Sequence, residues 1–300
     1  MSAAVAGVNV GGTTTSVVLG MPDGTILERR VWPTQAHDGT ALYASIVEAL
    51  RAIAGDAQAI GVAIGGPMNA RTGTVIAPPH LPGMHGVALG ARLRDEFGLP
   101  VEVHHDAAAC ALAEVRWGTD RDAHGLAYLT CGTGFGAGIV IGGRALYGAN
   151  GTSSELGHVR YRDDGPNVFD KPGSFESYGA GSVLPALGRR HDPSFDATTG
   201  ADVAERAARG DATAQAAIHD NAQAVGAACA LLCDLLVLDV IVLGSLAAYL
   251  GEPWIARVRE RFGREALADR VASCTLRAPS LESLQDLSAL AAALAPVTVS

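Results

Sequence analysis

A unit that occurs twice constrains this chain of 300 residues more than any other feature. In the first copy, β-prone runs at Val5 to Val10, Ser16 to Leu19 and Thr25 to Val31 are separated by Gly11-Gly12 and by Asp23-Gly24, a strong hairpin signal. In the second, strands at Leu126 to Thr130, at Gly138 to Ile141 and through Leu146 are separated by Gly132-Thr133-Gly134 and by Gly142-Gly143. Gly11 and Gly132 hold equivalent places. The repetition predicts an α/β protein of two duplicated domains facing each other across a cleft.

Helical periodicity fills the intervals. Asp38 is placed to cap a helix with Leu42, Ile46, Val47, Leu50 and Ile53 on its apolar face and Gly55 at its end. A strand follows at Ile60 to Ile64, then a helix on Leu89, Leu93 and Phe97 closed by Gly98, a strand at Val101 to Val103, and a helix from Asp106 to about Trp117. The second half carries a long Ala-rich helix near Thr213 to Leu236, a strand at Val240 to Leu243, a helix around Trp254 to Phe262 and a last one from Ser280. The domain boundary is expected between Trp117 and Gly125, where Asp120, Arg121 and Asp122 mark exposed chain, giving domains 1–118 and 119–300. The last helix, about 280–295, is a candidate to return to the first domain.

Composition excludes several classes. A formal charge of -9 and a pI near 5.4, with no cluster of Arg or Lys and Lys171 the only lysine, argue against a nucleic-acid surface. No run approaches the ~18 uncharged apolar residues of a membrane span, since Asp234 and Asp239 break the stretch Ala222 to Leu243, and the N-terminus lacks a basic signal-peptide region. Cys110, Cys131, Cys229, Cys233 and Cys274 lie scattered in apolar context, as reduced thiols of a cytoplasmic protein would. Cys229 and Cys233, one helical turn apart, read as small core residues rather than a metal pair.

Three motifs carry chemistry. Gly11-Gly12-Thr13 and Gly132-Thr133-Gly134 let backbone N–H groups approach a polyphosphate and add Thr hydroxyls, although either alone is equally a tight β-turn. There is no GxxxxGK[ST]; Gly132, Gly134 and Ala137 satisfy a dinucleotide pattern but run into a strand, which leaves a Rossmann site a minor alternative. Asp106 stands before an Ala-rich helix, where it can cap the helix, accept the proton of an acceptor hydroxyl, or do both. Glu155 and His158, three apart in a Gly-rich segment, can converge on vicinal hydroxyls or form a solvated loop.

Together these segments resemble the ROK (repressor, open reading frame, kinase) family over nearly the whole chain. Val8-Asn9-Val10-Gly11-Gly12-Thr13 resembles its DxGGT loop, Gly65-Gly66-Pro67 and Leu81-Pro82-Gly83 its sugar loops, and His105-Asp106-Ala107 its NDA. Leu129 to Gly136 resembles GTGxGGG, Glu155-Leu156-Gly157-His158 resembles ExGH, and Asp239 to Ser245 resembles DPEVIVLGG. The resemblance implies two actin-like (ribonuclease H-like) domains, ATP with Mg2+ as donor, a sugar or cyclitol acceptor and a homodimer. It implies Asp106 as catalytic base, with Gly66, His80, His105, Glu155, His158 and Glu176 at the acceptor. Phosphates would fall to Gly11, Gly12, Thr13, Gly132, Thr133 and Gly134, and the adenosine to Gly244.

The departures are Asn9 for the Asp that helps hold hydrated magnesium, His105 for the Asn before the base, and His80 where a sugar-binding Asn is common. Arg160 to Ser174 holds no cysteine, so no zinc site is expected beside His158. An active kinase is the first expectation and a weakened sugar or nucleotide sensor the alternative. A DNA-binding repressor would need a helix-turn-helix ahead of the first strand, for which this sequence leaves no room.

Overall fold

The computed structural model describes residues 3–297. β1 (Val5–Val10), β2 (Thr14–Gly20) and β3 (Ile26–Pro33) form the antiparallel meander, with Gly24 at a positive φ of 93° in the second turn. Ala6, Val8 and Val10 alternate into the core, where they meet Leu42, Ile46 and Leu50 of α1 (Gly39–Ile53). Asp38 caps α1, accepting from the Thr40 and Ala41 amides at 3.1 and 2.9 Å; the helix closes on Ala54, one residue before Gly55.

β4 (Ile60–Ile64) lies parallel to β1 and leads through the short ribbon of β5 (Met68–Asn69) and β6 (Thr74–Val75) to α2 (Leu89–Phe97), closed by left-handed Gly98. β7 (Val101–His105) pairs parallel with β4 and runs directly into α3 (Asp106–Trp117). The first sheet therefore has the order β3-β2-β1-β4-β7.

β8 (Gly125–Cys131), β9 (Phe135–Ile141) and β10 (Arg144–Ala145) begin the second sheet. Its third strand is shorter than the sequence suggests, because Gly142 and Gly143 both take positive φ and only two residues regain pairing. A small ribbon of β11 (Asn167–Val168) and β12 (Lys171–Pro172) precedes α4 (Glu176–Gly179), α5 (Leu184–His191), α6 (Gly200–Ala208) and the long α7 (Ala212–Leu236). β13 (Val240–Leu243) then inserts parallel to β8, followed by α8 (Leu246–Leu250), α9 (Glu252–Glu265), α10 (Ala268–Ser273) and β14 (Thr275–Arg277). The order β10-β9-β8-β13-β14 repeats that of the first sheet strand for strand, which is the duplicated mixed α/β architecture expected.

The described chain divides into one unit of residues 3–124, 138–154 and 280–297 and another of 125–137 and 155–279. In the first, α11 (Leu284–Ala293) lies across β1 and β4 and beside α3. Its approach is possible only because the strands present glycine: a Cβ on Gly61 would stand 2.1 Å from the Ala293 nitrogen, and one on Gly7 2.8 Å from Ala289. Buried Asp286 fixes the register of α11 by accepting from the Ser16 hydroxyl at 2.7 Å and pairing with Arg29. In the second, buried Asn221 of α7 donates to the Tyr178 carbonyl at 2.8 Å and accepts from the Trp254 indole at 2.9 Å, so its amide is satisfied. Cys229 and Cys233 are fully buried on α7, where burial pushes both thiols up. No helix among the described residues is long and apolar enough to cross a membrane.

Candidate functional site

The first unit gathers Gly11, Gly12, Thr13 and His80 at one strand end and Gly66, His105 and Asp106 at another. The turn after β1 is braced by Thr34, whose hydroxyl donates to the Gly11 carbonyl at 2.7 Å and whose amide donates to the Thr13 carbonyl at 2.9 Å. Gly11 itself closes the hairpin onto Thr14, while Gly12 and Thr13 are exposed. A Cβ on Gly12 would sit 3.0 Å from that of His80, so the exposed His80 lies beside this turn and a side chain at position 12 would crowd it. Asn9 is half-buried on β1, between Ser16 and Ala63 of the flanking strands.

β4 ends in Gly65-Gly66, joined to Pro67 by a cis bond, and β7 delivers His105 and Asp106 over this turn. A Cβ on Gly66 would come within 2.7 Å of the His105 ring, and one on Gly65 within 3.9 Å of the Asp106 Oδ2. The expectation that Asp106 caps α3 is corrected. His105 is the capping residue, its Nδ1 accepting from the Ala107 amide at 3.3 Å, and Asp106 is the first residue inside the helix. The Asp106 Oδ1 accepts from the same amide at 2.7 Å and lies 3.2 Å from His105 Nδ1, while its side chain stays 43% exposed. Asp106 therefore offers solvent-accessible charge from a held position.

Behind these residues His104 is buried and fully bonded. Its Nε2 meets the Ala295 carbonyl at 2.8 Å, which requires hydrogen on Nε2 and leaves Nδ1 to accept from the Tyr147 hydroxyl at 2.9 Å. That hydroxyl in turn accepts from the His105 amide at 3.3 Å. Nothing in the sequence marks Tyr147, 43 residues away from His104, as a member of this arrangement.

In the second unit the turn after β8 is held from two sides. Gly132 accepts from the Gly181 amide at 2.7 Å, and the Ser182 hydroxyl donates to the Thr133 carbonyl at 2.6 Å. From the other side the Phe135 amide donates to Glu176 Oε2 at 2.8 Å. Gly244, at the end of β13, donates to the Leu129 carbonyl at 2.8 Å, and a Cβ there would fall 2.3 Å from the Tyr128 hydroxyl. The next residue, Ser245, holds φ at 43°, a left-handed conformation disfavoured for a side-chain-bearing residue, with its hydroxyl 3.1 Å from where a Cβ on Gly132 would be. Gly132, Gly181, Gly244 and Ser245 thus surround one strand-end turn. Gly181 and Ser182 have no motif that would single them out by sequence, whereas Ser245 ends the Asp239 to Ser245 stretch.

Glu176 opens α4 as its first residue, half-buried, and its carboxyl is pushed up to about 7, mostly by burial. The Phe135 amide opposes this and the nearby Glu155 charge adds to it. Glu155 and Glu176 thus share a neighbourhood. His158 is exposed, its ring 6.0 Å from that of Phe169 and its carbonyl accepting from the Lys171 ammonium. The hairpin between them is closed by aromatic packing, with Tyr161 stacked on Phe175 at 5.2 Å and edge-on to Tyr178 at 5.3 Å. Arg162 lies over both tyrosines. Among the described residues no group of three or more His, Cys, Asp or Glu is arranged to hold a metal ion.

A family model described as the ROK family matches residues 5–294. The chain is 30% identical over 283 residues to a glucokinase of Halalkalibacterium halodurans, covering 87% of this chain and 86% of that protein. It is similar in structure to a ROK hexokinase from Thermus thermophilus, with TM-score 0.84, 28% identity and 97% and 98% of the two chains covered. A ROK family glucokinase from Streptomyces griseus, solved with glucose and AMPPNP, gives TM-score 0.80 and 27% identity over 97% and 99%. With the family match running from the first strand to the last helix, and the strand order of the two sheets repeated, this chain belongs to the ROK family.

Proposed function

We propose that the protein transfers the terminal phosphoryl group of ATP to a hydroxyl of a hexose, amino sugar or cyclitol, with Asp106 as general base. The observation that carries this reading is the half-exposed Asp106 at the start of α3, over the Gly65-Gly66 turn, within a chain that belongs to a family containing glucokinases. Oδ1 is engaged by the Ala107 amide, so Oδ2 is the oxygen to take the proton as the hydroxyl oxygen bonds to phosphorus and ADP leaves. His105 and Gly66 would flank that hydroxyl, and His80, Glu155, His158 and Glu176 would bind others on the acceptor.

Phosphate binding falls to Gly11, Gly12 and Thr13 and to Gly132, Thr133 and Gly134, with Gly244 beside the adenosine. Such loops stabilise the charge of a loose phosphoryl-transfer transition state by fixed backbone donors. The donor set at Asn9 is a neutral amide oxygen, suited to bonding a water of a magnesium ion carried by the nucleotide; that ion would supply positive charge against the phosphates.

Asn9, His80 and His105 also support a second reading, a sugar or nucleotide sensor of the same fold with little turnover. A coupled ADP-release assay over hexoses, amino sugars and cyclitols with several nucleoside triphosphates separates the two. Saturable turnover with one acceptor class is expected. Measurable ligand binding with no turnover for any donor and acceptor would replace the kinase with the sensor.

A further inference from the structure

Glu176 touches two loops of the second unit at once. Its Oε2 accepts from the Phe135 amide, the first residue beyond the Gly132-Thr133-Gly134 turn, at 2.8 Å. A Cβ on Gly134 would stand 3.1 Å from Oε1, and one on Gly157, in the turn that carries Glu155 and His158, 2.7 Å from Oε2. The carboxylate therefore sits in a slot that only glycine at 134 and 157 leaves open, between a turn expected at the nucleotide and a turn expected at the acceptor. Its own backbone is anchored from behind, since Phe175 packs on Tyr161 and lies 6.4 Å from Phe135. With Gly181 and Ser182 holding Gly132 and Thr133 on the opposite side, Glu176 is the brace on the Phe135 side of this turn.

We propose that Glu176 is a positioning residue for the phosphate turn, acting through the Phe135 amide, so that nucleotide affinity depends on it even with no acceptor bound. The inference rests on the kinase reading for the role of Gly132 to Gly134, and goes beyond it by giving an acceptor-side carboxylate a nucleotide-side task. A direction distinguishes it from plain charge effects. A carboxylate near a polyphosphate repels it, so deleting Glu176 would tighten nucleotide binding on Coulombic grounds alone; deleting a brace loosens it.

The test is calorimetric binding of Mg·ADP at pH 8 in the absence of sugar, on wild type, Glu176→Ala, Glu176→Gln and Glu155→Ala. Glu176→Ala is expected to weaken binding about tenfold, the order for losing one hydrogen bond to an ionised group. Glu176→Gln, whose amide oxygen can still accept from Phe135, should stay within about threefold of wild type. Glu155→Ala, which removes a charge without touching the bond, should bind as wild type or tighter. Hydrogen exchange at residues 132–136 should rise in Glu176→Ala and not in Glu155→Ala, a readout that local loosening moves and global instability would spread over the whole chain. Equal or tighter binding by Glu176→Ala, or Glu176→Gln as weak as Glu176→Ala, overturns the proposal. A wild-type protein that binds no nucleotide would instead remove the kinase reading itself.

Discussion

The imidazole of His104 lies 2.9 Å from the hydroxyl of Tyr147 and reaches it through Nδ1, with Nε2 committed to the Ala295 carbonyl. Burial pulls this histidine down to about 4 from an ordinary 6.5, partly offset by the Ala295 bond, so the ring is neutral in the folded protein. Between those values the unfolded chain binds the extra proton. Stability is therefore full above 6.5, falls as the pH drops, and is lost through 4. The His104 share of this loss should amount to about 3 kcal/mol, to be read as the drop in urea midpoint between pH 7.5 and 4 in the Glu176→Gln background, where the opposing titration of Glu176 is absent. Tyr147→Phe, which leaves Nδ1 buried without its donor, should cost about 1–3 kcal/mol at neutral pH. An unchanged midpoint in that variant would mean the bond contributes nothing.

Glu176 behaves oppositely. Its folded carboxyl is raised to about 7 from 4.5, so the folded state holds the proton longer than the unfolded chain. Its contribution is fully present below 4.5 and is lost as the pH rises through 7. Glu176→Gln, which carries no charge to bury, should be more stable than wild type at pH 8 by roughly 2 kcal/mol after allowance for partial solvation. The advantage should vanish by pH 4.5, as compared by thermal melts at the two pH values.

Asp106→Asn keeps an acceptor for the Ala107 amide but loses the proton sink. Turnover should fall by about 10²–10⁴, while the acceptor dissociation constant changes by less than about fivefold. Steady-state kinetics and calorimetry with the acceptor found by the substrate panel check both halves. Near-normal turnover would reject this residue as the base.

Gly61→Ala pushes a methyl group into the backbone of α11 and should destabilise by at least about 1–3 kcal/mol, the range for overpacking. Gly55→Ala meets nothing within 4 Å and should be neutral or stabilise by about 0.4–1 kcal/mol. Parallel urea titrations of the two variants separate steric crowding from the generic effect of replacing glycine.

The elements with a strong period were legible. Val5 to Val10 form a β-prone run bounded by Gly11-Gly12, Leu42 to Ile53 follow helical spacing behind Asp38, and both recur in the structure, as does the duplicated unit. Two-residue ribbons such as Met68–Asn69 with Thr74–Val75 are too short to show any period. Which residue caps α3 is not legible in the sequence, because two adjacent polar residues compete for one amide, and composition does not say which ring or carboxylate enters the helix. Glu176 bonding to Phe135 across 41 positions is a consequence of tertiary packing that no local pattern encodes, whereas Ser245, in a conformation better suited to glycine, stands where DPEVIVLGG ends in glycine.

Gly7 and Gly61 form a bare strip on the first sheet against which α11 packs. During synthesis, the opening strands must wait for more than two hundred further residues before their lid emerges from the ribosome. A nascent chain stalled ahead of Leu284 would present that strip to chaperones or to other chains, so premature termination there should yield aggregates in place of a smaller working enzyme.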